Sequence, residues 1–219
     1  MVFIYYYGDK IQYMKLDMNN KDKILEIAFL LSLKNGFDRV SIKQIQEASG
    51  LAAGSIYYYF ENKDEILVAM FNKYVSGQIP LFKETIRNLN CSFIEKLRFI
   101  FTHKIGFFDK KETSLNDSIM PEPMYEDYFV LSMSIYHQYP EVRPQFIEMH
   151  NDLNDFYHEL IQEAIEKGEI RDDVDIKTLV ILIQSSLRGY LDLWLNQSEF
   201  SIEELVEANI SMIYEVIKK

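Results

Sequence analysis

The sequence predicts an all-α protein with a small N-terminal helical domain and a larger C-terminal helical domain. Apolar residues recur at helical spacing from about residue 22 to the end, and beyond Pro80 no segment shows the alternation typical of a strand. Capping signals stand where helices would begin, as in Ser41 with Gln44 and Ser201 with Glu204. A content of 48% hydrophobic and 26% charged residues over 219 positions is typical of a globular protein with a proper core.

Start and stop signals divide the chain into nine predicted helices. Asn62 caps the fourth, with Glu65 three residues later, and Pro80 is expected to kink or end it. Gly168 can close the long seventh helix with a left-handed residue. Residues 109–123 are predicted to form a polar loop. The helices are expected at about 22–35, 41–49, 52–60, 62–79, 91–108, 124–138, 142–167, 175–196 and 201–219.

Residues 41–60 indicate two short helices joined by a tight turn. Ser41 and Gln44 have the spacing of a capping box, and Gly50 can adopt the positive φ of a left-handed turn residue. Ile56 and Phe60 then turn inward at four-residue spacing. Two helices of this size around a glycine turn match a helix-turn-helix, whose second helix enters the major groove of DNA.

The flanking segments make this pattern specific. From residue 24 to 67 the chain closely resembles the DNA-binding domain of the TetR family of bacterial transcriptional regulators, and the resemblance extends over about residues 20–75. It implies a three-helix helix-turn-helix domain at 20–66 and a ligand-binding and dimerisation domain at 67–219. The residues that carry it are Gly36-Phe37, Val40-Ser41, Ile45, Ala48-Ser49-Gly50-Leu51, Gly54, Ile56-Tyr57 and Phe60-x-Asn62-Lys63.

The resemblance also implies which residues meet DNA. Tyr57 and Tyr59 stand where the family usually has phosphate- and base-contacting Tyr and His, and Lys63 would meet a phosphate beside a helix N-terminus. Gly54 either lets the backbone approach DNA or avoids a clash with the preceding helix, and Tyr58 either contacts thymine methyls or packs. The predicted DNA-binding residues are Ser41, Ala52, Ala53, Gly54, Tyr57, Tyr58, Tyr59 and Lys63.

One position departs from the family pattern. The family commonly has Ser or Thr as the cap of the reading helix, where this chain has Ala52. Loss of that cap costs about 1 kcal/mol of helix stability and removes a polar contact. We expect Ala52 to affect which operator sequence is bound more than it affects DNA binding itself.

The net charge of −11 is unevenly distributed. Residues 1–75 contain nine Lys/Arg and nine Asp/Glu, whereas residues 76–219 contain 14 and 25. The excess of acidic residues therefore lies outside the predicted DNA-binding domain. Because phosphate binding depends on where cations point, the acidic total does not exclude DNA binding, but non-specific affinity should be weak and salt-sensitive.

The last two predicted helices carry more apolar surface than one small bundle can bury. Apolar residues lie on every side of the helix over 179–195, so that helix must be buried on every side. A buried helix inside a monomer stays possible, but a four-helix interface between two chains accounts for more and is what the resemblance implies. The predicted interface residues are Leu187, Tyr190, Leu191, Trp194, Leu205, Met212, Ile213 and Val216.

The resemblance further implies a small-molecule pocket among the fourth to eighth predicted helices. We expect a mostly apolar, neutral or amphipathic effector with one or two hydrogen-bonding groups, met by Tyr136 or His103. Core filling by the same residues, and a DNA-binding protein of this fold without an effector, remain alternatives. The predicted lining is Phe101, His103, Phe108, Met124, Phe129, Met133, Tyr136, Met149 and Phe156.

A helical metal enzyme is the remote alternative. Asp155-x-x-His158 with Glu148, His150 and Asp152 has a composition that could hold a metal in a helical bundle. A helical wheel places these acids off the inward stripe, on what we interpret as a solvated face. The sequence has no glycine-rich phosphate loop, no nucleophile elbow and no Cys/His cluster. We therefore expect a repressor rather than an enzyme, with no metal and no cofactor.

The remaining features concern location. Cys91 is the single cysteine, which excludes an intrachain disulfide and fits a reducing cytoplasm. The longest uncharged apolar run after the N-terminus, Thr178 to Leu187, is half a membrane span. Residues 1–19 lack the basic start of a signal peptide and are either an extra arm or an early start, with Met14 or Met18 as alternative starts. We expect a cytoplasmic protein without a membrane partner.

Overall fold

The computed structural model describes residues 4–7, 10–13, 19–102, 122–197 and 199–219; for 4–7, 10–13, 122–126 and Ala53 it describes the backbone only. These residues are mainly helical, which confirms the predicted fold class. The helices are α1 (Asn20–Asn35), α2 (Ile42–Ser49), α3 (Ala53–Tyr59), α4 (Lys63–Tyr74), α5 (Ile79–Asn88), α6 (Phe93–Thr102), α7 (Glu122–Gln138), α8 (Arg143–Glu166), α9 (Ile176–Asn196) and α10 (Ile202–Ile217).

The predicted caps form as hydrogen bonds. The Ser41 Oγ accepts a hydrogen bond from the backbone N–H of Gln44 at 3.2 Å. The Gln44 Oε1 accepts one from the backbone N–H of Ser41 at 2.8 Å. The Ser201 box at the start of α10 closes in the same way. Gly50 and Gly168 adopt φ values of 64° and 66°, the left-handed region in which glycine has no steric penalty. Local signals therefore fix both the start of α2 and its turn into α3.

Pro80 begins a helix instead of ending one. α4 ends at Tyr74, a 3-10 turn spans Ser76–Gln78, and Pro80 lies in the first turn of α5. The fixed φ of proline suits that position, where its missing N–H would have no helical partner. The sequence prediction thus missed α5, a ten-residue helix with Ile79, Phe82 and Ile86 buried.

A short β-hairpin precedes α1. Its strands, β1 (Ile4–Tyr7) and β2 (Lys10–Tyr13), pair antiparallel with Ile4 opposite Tyr13 and Tyr7 opposite Lys10. The sequence predicts either an extra arm or an early start for residues 1–19, and it predicts no strand there.

Two hydrophobic cores organise the helices. The first core lies among α1 to α4 and also takes in Leu131 and Ile135 of α7 and Phe146 at the start of α8. The second core lies among α5, α6, α8, α9 and α10. Met149 is half-buried and packs against both. The predicted domain boundary after residue 66 falls inside α4, whose buried residues belong to the first core.

Specific contacts join the two parts of the chain. The Phe71 and Phe146 rings, from α4 and α8, lie 4.3 Å apart between centroids. The Tyr139 hydroxyl, in the connection between α7 and α8, donates to the Asp38 carboxylate. The Tyr139 ring also packs edge-on against Phe37, 5.4 Å away. The α7–α8 corner is therefore in direct contact with the helix-turn-helix part.

None of the helices in the described part of the chain is long and apolar enough to cross a membrane.

Candidate DNA-binding surface and effector region

The scaffold of the reading helix is rigid. Ile45 of α2 and Ile56 of α3 are fully buried, and Phe60 is 4% exposed just after α3. These side chains fix how α3 sits on α1 and α2. The residues of α3 that face away from this core are therefore fixed in position, but they do not contribute to the packing of the core.

The tyrosines of α3 divide between surface and core. Tyr57 is 60% exposed and Tyr58 is 80% exposed. Tyr59 is half-buried and packs against the first core, and its ring meets that of Tyr58 edge-on at 4.8 Å. Tyr57 and Tyr58 thus present phenol groups outward, whereas Tyr59 is partly committed to packing.

Gly54 has open space around it. A Cβ built at Gly54 would meet no heavy atom within 4 Å, so the position needs no glycine to avoid the preceding helix. The clash alternative from the sequence is not supported. At the helix start, Ala52 is the N-cap and makes no side-chain hydrogen bond, as expected for alanine. The Ala53 side chain lies outside the described part.

Lys63 faces its own domain. Its Nζ donates to the Asp38 carbonyl oxygen at 3.1 Å and lies 4.4 Å from the centre of the Phe37 ring. Burial lowers the pKa of Lys63, and the nearby Asp38 and Asp64 carboxylates oppose that shift. To reach a phosphate, the ammonium would have to exchange these internal contacts for external ones.

Two further polar groups lie at α2. Ser41 is exposed, but its hydroxyl is engaged with Gln44 in the cap. Lys43 was not predicted from the sequence; its side chain is 83% exposed and lies 3.8 Å from Glu47 one turn later. An exposed lysine on the first helix of a helix-turn-helix suits a backbone phosphate, since that helix crosses the DNA backbone.

An open cleft of about 450 Å³ lies beside the reading head, between α1, α3 and α4. Its wall includes the carboxylates Asp64, Glu65 and Glu141, which would repel a phosphate. The cleft shares Tyr59 with the predicted DNA-binding residues, but these carboxylates disfavour a phosphate inside it. Its lining residues are Lys21, Tyr59, Phe60, Asn62, Asp64, Glu65, Val68, Ala69, Asn72 and Glu141.

The predicted effector lining separates into three groups. Phe101 and Phe156 are fully buried in the second core, so they fill that core and do not line an open space. The side chains with accessible surface are Phe129, Met133, Tyr136 and Met149. His103, Phe108 and the Met124 side chain lie outside the described residues.

The acidic face of α8 is not simply solvated. Lys83 of α5 pairs with Asp152, and the Arg87 Nη2 lies 2.6 Å from the Glu159 carboxylate. Both carboxylates stay exposed, with 45% of the Asp152 and 61% of the Glu159 side chain accessible, and their partners lie about 70 positions earlier in the chain. Within the described residues, no three His, Cys, Asp or Glu side chains are placed to hold a metal ion.

The predicted dimer interface needs a correction. Tyr190, Leu205 and Ile213 are buried inside a single chain, with at most 7% exposed, so they stabilise the protomer and cannot form a contact surface. Leu187, Leu191 and Trp194 are half-buried against the second core. Met212 and Val216 are exposed, and the structure adds exposed Ile181, Leu182 and Leu193 on α9.

Comparisons with known proteins agree with this geometry. The family model described as "Bacterial regulatory proteins, tetR family" matches residues 24–70, which cover most of α1, all of α2 and α3, and the first two turns of α4. A fatty acid metabolism regulator protein of Bacillus subtilis is 21% identical over 192 residues, 87% of this chain and 92% of that protein. The chain therefore resembles TetR-family regulators: residues 24–70 match the family model, and most of the chain is similar to a bacterial regulator protein.

Solved structures show the same fold over about nine-tenths of the chain. The Bacillus subtilis regulator FadR in complex with stearoyl-CoA has a TM-score of 0.60 at 18% identity, covering 88% of this chain and 96% of FadR. A regulator from Saccharomonospora viridis in complex with choline has a TM-score of 0.72 at 16% identity, covering 91% and 97%. TetR-family proteins are transcriptional regulators and not enzymes, so the metal-enzyme alternative is dropped.

Proposed function

We propose that this TetR-family protein is a homodimeric repressor that binds a palindromic DNA operator and is released by a small amphipathic effector. The observation that carries the proposal is the outer face of α3. Tyr57 and Tyr58 are large, exposed aromatic side chains on a helix whose core contacts are complete without them. Exposed aromatic residues next to an open glycine, on a helix-turn-helix, suit contact with sugar, phosphate and base edges.

Dimerisation is supported by two exposed apolar stripes. Ala208, Met212 and Val216 lie at four-residue spacing on the exposed side of α10. On α9, Leu182 and Leu193 belong to another exposed stripe, which also contains Gly189. Contiguous apolar surface of this kind usually marks a protein interface. A twofold dimer presents two reading heads, which is why we propose a palindromic operator.

The effector is proposed to contact half-buried and exposed apolar side chains of α7 and α8. Phe129, Met133, Tyr136 and Met149 offer aromatic and thioether groups with accessible surface. Stearoyl-CoA and choline, the ligands named for the two structural neighbours, differ in charge, so the likeness alone does not select a ligand class. A coupling of about 1–3 kcal/mol between effector and operator is sufficient for release.

Operator selection followed by titration tests the proposal. The protein is used to enrich binding sites from random duplex DNA, and affinity for the enriched site is measured by fluorescence anisotropy. Tyr57→Ala and Tyr58→Ala should weaken binding, whereas Tyr214→Ala removes an exposed tyrosine of α10 and should not. Failure to enrich any sequence, or equal affinities for all three variants, would contradict the proposal.

A further inference from the structure

Arg188 of α9 differs from most described arginines of the C-terminal part in the groups that its guanidinium contacts. Its Nη2 contacts the ring nitrogens of His150, and among the described residues it makes no ion pair with a carboxylate. Arg143 also has no carboxylate partner, but its guanidinium donates to the carbonyl oxygens of Tyr136 and His137. The other described arginines of the C-terminal part are paired as Arg87 with Glu159, Arg98 with Glu207 and Arg171 with Asp173.

The geometry leaves Arg188 with unused donors. Its Nη2 is 3.2 Å from both His150 Nδ1 and His150 Nε2, so it lies between the two nitrogens and not along one lone pair. Arginine has five N–H donors, and this contact engages one nitrogen. Burial, and next the Arg188 charge, lower the pKa of His150, so the ring is neutral at neutral pH. The positive charge of Arg188 is therefore not balanced by its neighbour.

An aromatic row leads from this pair into the accessible region of α7. The His150 and Phe146 ring centroids are 6.4 Å apart, and Phe146 and Tyr136 are 5.3 Å apart. Tyr136 is partly exposed, and Ile147, one turn before His150, is more than half exposed. Apolar surface thus adjoins a guanidinium that makes no ion pair with a carboxylate of the described residues.

We propose that Arg188, with His150 beside it, binds the negatively charged group of an amphipathic effector whose apolar part lies along Tyr136 and Ile147. A guanidinium matches a carboxylate or phosphate through two parallel hydrogen bonds, which gives both strength and orientation. This inference rests on the proposed ligand-responsive function and specifies the chemical class of the ligand.

The same row reaches the DNA-binding part of the protein. Phe146 contacts His150 on one side and Phe71 of α4 on the other, 4.3 Å away. Lys63 is the first residue of α4, and α3 ends shortly before it, at Tyr59. An anion that shifts the Arg188–His150 pair therefore acts on Phe146, and through Phe146 on the orientation of α4.

Three probes of equal chain length test the charge: decanoate, decan-1-ol and decyltrimethylammonium. Binding is followed through the fluorescence of Trp194, the single tryptophan, which lies on the same helix as Arg188. Wild-type protein should bind decanoate about tenfold or more tightly than decan-1-ol, the effect expected for a charged hydrogen bond. Arg188→Ala should remove that preference and leave decan-1-ol binding unchanged, while Arg188→Lys should keep part of it.

Lys177→Ala is the matched control, because it removes one positive charge from the same helix. It should bind decanoate as the wild type does. Equal affinities for the three probes, a preference for the cation, or an unchanged preference in Arg188→Ala would each overturn the inference. If another compound releases the operator while none of the probes binds, the inference is wrong and the proposed function stands. If decanoate binds through Arg188 but no operator is found, the proposed function is wrong.

Discussion

Gly54→Ala should raise the stability of the protein and weaken its operator binding. In the structure the added methyl group meets nothing within 4 Å, so the substitution introduces no clash in the free protein. Alanine is more favourable than glycine inside a helix by about 0.5–1 kcal/mol. For a chain of this size, that gain corresponds to a rise in Tm of about 1–4 °C.

The cost of the substitution should appear only when DNA is bound. If the α3 backbone approaches DNA at Gly54, the methyl group must displace a closely packed surface, which costs about 1–3 kcal/mol, or roughly 5- to 150-fold in affinity. Thermal unfolding followed by circular dichroism and operator titration by anisotropy measure the two effects on the same protein.

Asn151→Ala is the control for helix propensity, because Asn151 is exposed on α8, away from the reading helix. It should raise Tm slightly and leave operator affinity unchanged. A lower Tm for Gly54→Ala would show that the position is not open, and an unchanged operator affinity would show that Gly54 does not approach DNA.

Three further predictions concern the DNA contact, the dimer and the pH dependence of stability. Lys63→Ala should lower the slope of log affinity against log salt by about 0.9, as expected for one phosphate contact; an unchanged slope would show that the ammonium stays on Phe37 in the complex. Met212→Glu should convert a dimer to folded monomers in sedimentation, whereas Ile213→Glu should unfold the protomer because Ile213 is 1% exposed; a monomeric wild type would refute the proposed interface. The folded-state pKa of His150 lies below the unfolded value of 6.5, so stability from this group is present above that pH and is lost as pH falls. His150→Phe should flatten urea-unfolding stability between neutral pH and about pH 5, and an unchanged pH profile would contradict the assigned shift.

The helix-turn-helix was predictable because its signals are local. The capping box at Ser41 and the positive φ at Gly50 each depend on residues within one turn, and both are present in the structure. The same logic failed at Pro80, since proline is compatible with the end of one helix and the first turn of another. Only the packing of Phe82 against the second core decides between them.

Long-range partners could not be predicted from the sequence. An apolar stripe shows that a residue is buried but not by which chain, which is why Tyr190 and Ile213 were assigned to an interface and lie in the protomer core. Likewise, the wheel of α8 could not show that Lys83 would pair with Asp152. Arg188 carried no sequence signal, because its distinction is the absence of a carboxylate partner among the described residues.

We expect two copies of α3 to bind the two half-sites of one operator. Hydroxyl-radical footprinting of the selected operator, with wild-type protein and with Tyr57→Ala at equal concentration, measures this binding. The footprint should show two protected segments related by a twofold axis, with half-site centres about one helical turn, or ~10 base pairs, apart, and Tyr57→Ala should protect both segments less. A single protected segment, or equal protection by the variant, would contradict it.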